Sequence, residues 1–480
     1  MSTKRISVIE VLLWVFVLIL ILLSITPFAM GFKIKSDYSQ LVIDLGEVMQ
    51  VDLQIQNYEQ GLFSSDATLS IKLPEEQGSL QFKEEIIHGP IYFGMLSQGR
   101  SPLVAAVIKG QINVSPQAQD MMKKLFSSQS PLVYQNIINF SGDVESQGYV
   151  PAINTSFESE DGLITIQSAG AIMNERYTAA TGQLSGDVKI PGFKVKTPLF
   201  SINAQGVSLN LSGAIGQNQI LIGNSDVSIN LFNVDSGADQ FSLRDFTVRS
   251  ITSEVGDLIN SGTHINIGQV FASNQKFGPL KLDFKLNGIS ANGINQLQSI
   301  QDEVAQMRVK GLPEEQINAM MTGQIMGVIP NLIKQADIKI DPFSISSELG
   351  KLEAKMDFAL QGVDADTPAD PMFLLGAVNM ELNVSIDGPL LRQFISWQLK
   401  NDTQAGRYQG SEESVELESS IPLRQKVTEN IQGMVDENWL KKNAGVYISK
   451  ISMHQGELLI NDKPVDPMQQ IMSSMGGPAN

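Results

Sequence analysis

A chain of 480 residues, 42% hydrophobic and 18% charged, has material for a large core, in two or three average domains or one extended one. Asp and Glu outnumber Lys and Arg by 51 to 34, a formal charge of −17, and no basic patch interrupts the excess, so phosphate backbones are repelled and nucleic acid is not an expected partner. The absence of cysteine removes disulfides, thiolate chemistry and Cys-based metal sites.

At the N-terminus, Lys4 and Arg5 precede an uncharged stretch, Val11–Phe32, reading VLLWVFVLILILLSITPFAMGF. Its 22 residues suffice to cross a hydrocarbon core of roughly 30 Å as a helix. The preceding positive charges put the N-terminus in the cytoplasm and everything after Lys33 outside. The rival is a cleaved signal peptide, with Val11–Leu23 as its apolar core and Ala29-Met30-Gly31 at its cleavage site. The run of apolar residues beyond Leu23 favours an uncleaved anchor over residues 1–32. Export is expected on either reading.

From residue 33 the periodicity drops to two. Val51, Leu53 and Ile55 alternate with polar residues, as do Leu69, Ile71 and Leu73, the pattern of strands with one buried face. NYEQG (57–61) reads as the turn between them, with Gly61 supplying a positive φ, and PEEQG (74–78) as the next turn. Residues 117–126 predict a short helix. LITIQ (163–167), GVSLNLSG (206–213), DVSINLF (226–232), HINIG (264–268) and LKLDFKLNG (280–288) predict successive strands, many with a polar face toward water. Residues 33–290 therefore form a β-rich region. Residues 291–337 carry two helical stripes: Ile294, Leu297, Ile300, Val304 and Met307, then Ile317 to Val328, ended by Pro330. Over 338–480, three strands, helices near 389–399 and 422–440, and a terminal hairpin are expected. ADTPADP (365–371) and GSEESVELESS (410–420) read as linkers.

No GxSxG, HExxH, GxGxxG or phosphate-binding loop occurs. His88, His264 and His454 stand far apart without ligand-like spacing. His88, followed by Gly89 and Pro90, reads as the cap of a strand end. The sharper alternative sets it as a base beside Ser64 or Ser65, and needs an orienting carboxylate. Asp364, Asp366 and Asp370 lack the glycine turn and closing glutamate of a calcium loop. Glu84 and Glu85, adjacent on a strand, point to opposite faces and make no dyad. No cofactor, metal site or catalytic set is expected. The methionines Met307, Met320, Met321 and Met326 suit core packing by default and a pliable apolar groove as the alternative.

Tyr58, Gly61, Leu62, Phe63, Ser64 and Ser65, followed by His88-Gly89-Pro90, resemble the opening of the YdgA-like bacterial proteins, a family without assigned function. The ending, YISKISMHQGELLIND then KPV, is similar too, although Asp462 stands where glycine is more usual. The resemblance implies a protein of the Gram-negative inner membrane, single-pass, with its C-terminal part in the periplasm. It carries over no functional residue.

The expected fold is mainly β: an N-terminal transmembrane helix, then an extended, mostly antiparallel sheet with helices packed on one side. The expected function is non-enzymatic, an apolar β-groove offered to lipid or to a hydrophobic partner segment. The alternative is a scaffold binding envelope proteins, or a second copy of itself, through its sheet. A hydrolase ranks last.

Overall fold

The computed structural model describes residues 26–27, 30–36, 38–40, 42–43, 53–72, 79–113, 122–126, 130–159, 162–237, 240–272, 275–309, 312–333, 336–360, 376–404 and 421–465. Most of the expected spanning segment lies outside them, as do 365–371, 410–420 and the tail beyond Val465. Among the described residues no helix is long and apolar enough to cross a membrane. The chain divides into two units, Met1–Ile215 and Gly216–Asn480.

The first unit opens with helical residues between 30 and 43, here α1. An antiparallel meander follows: β1 (Leu53–Gln60), β2 (Ser64–Lys72), β3 (Ser79–His88), β4 (Ala106–Asn113), β5 (Val133–Ile138) and β6 (Val144–Val150). The hairpin β7 (Ile153–Ser159) and β8 (Gly162–Ser168) then leaves the sheet, and β9 (Ala171–Thr178) returns to pair with β6. β10 (Gln183–Lys196) pairs one edge with β9 and β8 in turn, and the other with β11 (Ser201–Ile215). The helix predicted over 117–126 is described at 122–126, here α2.

Period two decides which face is buried. Ala67, Leu69, Ile86 and Ile108 share one face by register, and α1 covers them with Tyr38 and Val42. On the opposite face Val107 and Ile137 are buried under Met95 and Val104 of the 89–105 segment between β3 and β4. Covering both faces of β3 and β4 makes this the tightest part of the unit.

The second unit is one long meander. Its strands are β12 (Leu221–Asp235), β13 (Gln240–Val255), β14 (Leu258–Ala272), β15 (Gln275–Ser290), β16 (Asp337–Ser347), β17 (Gly350–Leu360), β18 (Val378–Asp387) and β20 (Val446–His454), each antiparallel to the next. The short strands β19 (Lys441–Asn443), β21 (Glu457–Ile460) and β22 (Lys463–Val465) complete the end. Two helical hairpins are inserted: α3 (Ala291–Val309) and α4 (Glu314–Ile333) after β15, and α5 (Gly388–Gln404) and α6 (Ile421–Asp436) after β18. α4 continues through Pro330 to Ile333, three residues past its expected stop. Its last turn is held by packing: Leu332 lies against Gly293, and Ile333 packs on Leu360 and Ala377.

Candidate functional site

The residues of the opening motif converge under α1. Ser65 on β2 and His88 at the end of β3 face the same side, and Ser65 Oγ lies 2.8 Å from His88 Nε2. The serine is fully buried and the histidine 2% exposed. Gly31 of α1 rests on this imidazole: a Cβ there would meet His88 Cε1 at 2.5 Å and Nδ1 at 2.8 Å. Nδ1 is buried without a hydrogen bond. Burial pushes His88 below its ordinary value, while the carbonyls of Leu62 and Pro27 pull weakly the other way.

A carboxylate lies on the same face but does not join the pair. Glu84 is four residues before His88 on β3, about 13 Å along the strand. It accepts hydrogen bonds from the hydroxyls of Tyr38, on α1, and Tyr134, on β5. Tyr134 reaches it by lying across β4, where Gly110 makes room; a Cβ there would meet the ring at 2.1 Å. Burial raises the Glu84 carboxyl against the pull of the two tyrosines, and burial beside Glu84 raises both phenols. Tyr58 packs at 6.0 Å from Tyr38, and burial raises it too, partly opposed by Ser65.

Chemically, this arrangement is a clamp. A serine nucleophile needs an exposed Oγ, a base and an orienter for that base. Here Oγ is sealed from solvent, and among the described residues the imidazole has no carboxylate partner. What the cluster does is fix α1, the element directly after the apolar N-terminal run, onto the sheet.

The glycines of the motif act differently from the expectation. Neither Gly61 nor Gly89 takes a left-handed conformation. They serve close approach instead: a Cβ on Gly61 would meet Ser64 O at 2.5 Å, and one on Gly89 would meet Val104 O at 2.1 Å. Their amides donate to Ser64 O and Ala105 O. Leu62 and Phe63 are exposed at the turn, while the Phe63 carbonyl accepts the His88 amide. Tyr58 does pack inward, and Pro90 follows a cis bond.

Met307 is buried between α3 and α4 with Val304 and Ile317, Met321 packs at that cluster, and Met320 is exposed. The Met326 side chain lies outside the described residues, as do Asp364, Asp366 and Asp370. His264 bonds Asp283 at 2.8 Å on the polar face of the second unit, and His454 is exposed. Among the described residues no cluster of His, Asp and Glu is arranged to hold a metal.

A larger apolar feature belongs to the second unit. Ile229, Phe246, Ile267, Leu280, Ile345, Leu352, Ile386 and Tyr447 face one another in register across eight strands. Val227, Val248, Ile265, Leu282, Phe343, Ala354 and Val384 form a second row beside it. Ile386 and Tyr447 are buried under α5 and α6, whereas the first row stays half-buried from β12 to β17. The reverse face is charged: Arg249 pairs with Asp226, Lys339 with Asp357 and Lys355 with Asp341. One face is therefore charged and the other apolar.

The chain belongs to the family described as bacterial protein of unknown function (DUF945), whose model matches residues 8–468. No curated protein and no solved structure matches it.

Proposed function

We propose that this protein is a YdgA-like envelope protein, anchored in the Gram-negative inner membrane by the part of the apolar run Val11–Phe32 that precedes the residues packed on His88, and facing the periplasm. In this reading it is non-enzymatic and offers the apolar sheet face of its second unit to a lipid acyl chain. The observation that carries the reading is the unbroken apolar row from Ile229 to Leu352, half-buried on β12–β17. Strands stand about 4.8 Å apart, so six of them give a track of roughly 24 Å. One leaflet contributes about half of a core of roughly 30 Å, so the track accommodates a full chain. The burial of the Ser65–His88 pair, which has no orienting carboxylate among the described residues, argues against the hydrolase. Gly31, which contacts His88 as part of α1, supports an anchor that is kept rather than cleaved.

A photo-crosslinking side chain at Phe246 tests the groove in the membrane-bound protein. Capture of phospholipid from 246, and none from the neighbouring Thr247 on the charged face, is the expected result. Equal capture at both positions would remove the groove. The scaffold reading has its own support on the face of the first unit opposite α1. There Val133, Tyr149 and Ile172 align across β5, β6 and β9 and line a shallow depression of about 400 Å³. A protein partner captured from position 149 would favour it.

A further inference from the structure

We infer that one end of the first unit rests on the surface of the bilayer, so that the anchor and the sheet contact the membrane together. This inference rests on the anchor reading above. Its evidence is the end of the sheet at which the chain arrives. The sequence before Thr26 contains the uncharged run Val11–Ile25, and Thr26-Pro27 lead into α1 with the Pro27 carbonyl at the His88 ring. His88 closes β3, so the apolar run reaches the unit at that strand end.

The same end carries exposed apolar side chains on three separate loops. Leu62 and Phe63 (51% and 52% exposed) form the β1–β2 turn, and the Phe63 carbonyl accepts the His88 amide. Phe140 (59%) sits in the β5–β6 turn, placed at this end by the pairing of Ile138 with Ala106 and of Ala106 with His88. Phe93, Leu96 and Leu103 project from the segment between β3 and β4, whose Met95 and Val104 are spent on the core beneath.

Charge distinguishes the two ends. The β1–β2 turn (60–65), the stretches 89–99 and 101–106 and the β9–β10 turn (179–182) contain no Asp, Glu, Lys or Arg, and the β5–β6 turn (139–143) holds only Asp143, whose carboxylate accepts hydrogen bonds from the Ser141 hydroxyl and the Ala179 amide. Arg100 interrupts them and is paired with Glu145. At the opposite end Lys72 closes β2, and Lys123 and Lys124 belong to the β4–β5 connection; in sequence, Glu75 and Glu76 follow β2, and Glu160 and Asp161 follow β7. In a protein with a formal charge of −17, an end whose only charges, Arg100 and Asp143, are both hydrogen-bonded, and which is studded with Leu and Phe, fits hydrocarbon and its boundary rather than water or an acidic partner.

The absence of cysteine makes the test direct, because one introduced cysteine carries one label. Phe63→Cys, Phe140→Cys and, as the control, Leu163→Cys are spin-labelled in the full chain. Leu163 is equally exposed at 52% but follows the charged β7–β8 turn at the far end. The labelled proteins are reconstituted into vesicles of phosphatidylethanolamine and phosphatidylglycerol, and collisions with oxygen and with a water-soluble nickel chelate are compared. The expected result is labels at 63 and 140 shifted toward oxygen, at a depth of roughly 5–10 Å, with 163 in water. A chain that floats with the vesicles while 63 and 140 match 163 would overturn the docking and leave the anchor standing. A chain that does not float would overturn both.

Discussion

If the Ser65–His88 pair is a clamp, Ser65→Ala should lower stability before it alters anything else. The 2.8 Å contact joins two residues shielded from solvent. Removing Oγ takes the 2.8 Å partner from Nε2 of a buried imidazole. A buried polar group left unsatisfied costs about 1–3 kcal/mol. For a domain of about 200 residues each kcal/mol moves the melting temperature by roughly 2–4 °C, so a drop of about 2–12 °C is expected. Thermal unfolding of the detergent-solubilised full chain, followed by circular dichroism, measures it. His88→Ala should cost more, because it also opens a cavity beneath Gly31. A Ser65→Ala protein that melts with the wild type yet loses its cellular role would refute the clamp and restore the pair as chemistry.

Other consequences follow from neighbouring contacts. His88 is held below its ordinary value of 6.5, so in the unfolded chain it takes up a proton first as pH falls. The first unit should therefore lose stability as pH drops below about 6.5, and His88→Phe should flatten that part of a melting-temperature profile. Glu84 has the opposite sign: its raised value makes its contribution full below 4.5 and lost as pH climbs through the folded value, a dependence that Glu84→Gln should abolish. Gly89→Ala sets a Cβ 2.1 Å from a backbone carbonyl oxygen, so poor expression or a melting point lowered well beyond that of Ser65→Ala is expected. Gly110→Val should displace Tyr134 from Glu84, and Tyr134→Phe in the same background should then add little, as a double-mutant cycle would register.

The strands were largely legible because period two was clean. LITIQ and HINIG lie inside β8 and β14; β8 runs one residue further at each end, whereas β14 begins six residues earlier and ends four later. The opening hairpin, the strand-end role of His88 and the opposed faces of Glu84 and Glu85 could be read the same way. The helix stop at Pro330 failed because packing of Leu332 and Ile333 outweighs a local breaker. The positive φ assigned to Gly61 failed for a related reason. A glycine in sequence does not say whether conformation or proximity requires it, and here the Ser64 carbonyl does. The buried cluster was illegible beyond the motif itself. Tyr38, Glu84 and Tyr134 are separated by 46 and 50 residues, and only register and the coverage by α1 bring them together. Gly31 offered a faint signal, a glycine between Met30 and Phe32 at the end of an apolar run.

The central claim is that the apolar face of the second unit holds an acyl chain. Native mass spectrometry of the full chain, released from mild detergent with parallel lipid extraction, tests it most directly. The account predicts about one phospholipid per chain, lost when Phe246 and Ile265 on that face are replaced by glutamate and retained when Thr247 on the other face is. A clean apoprotein that keeps its fold and instead carries a protein partner or a second copy of itself would contradict it.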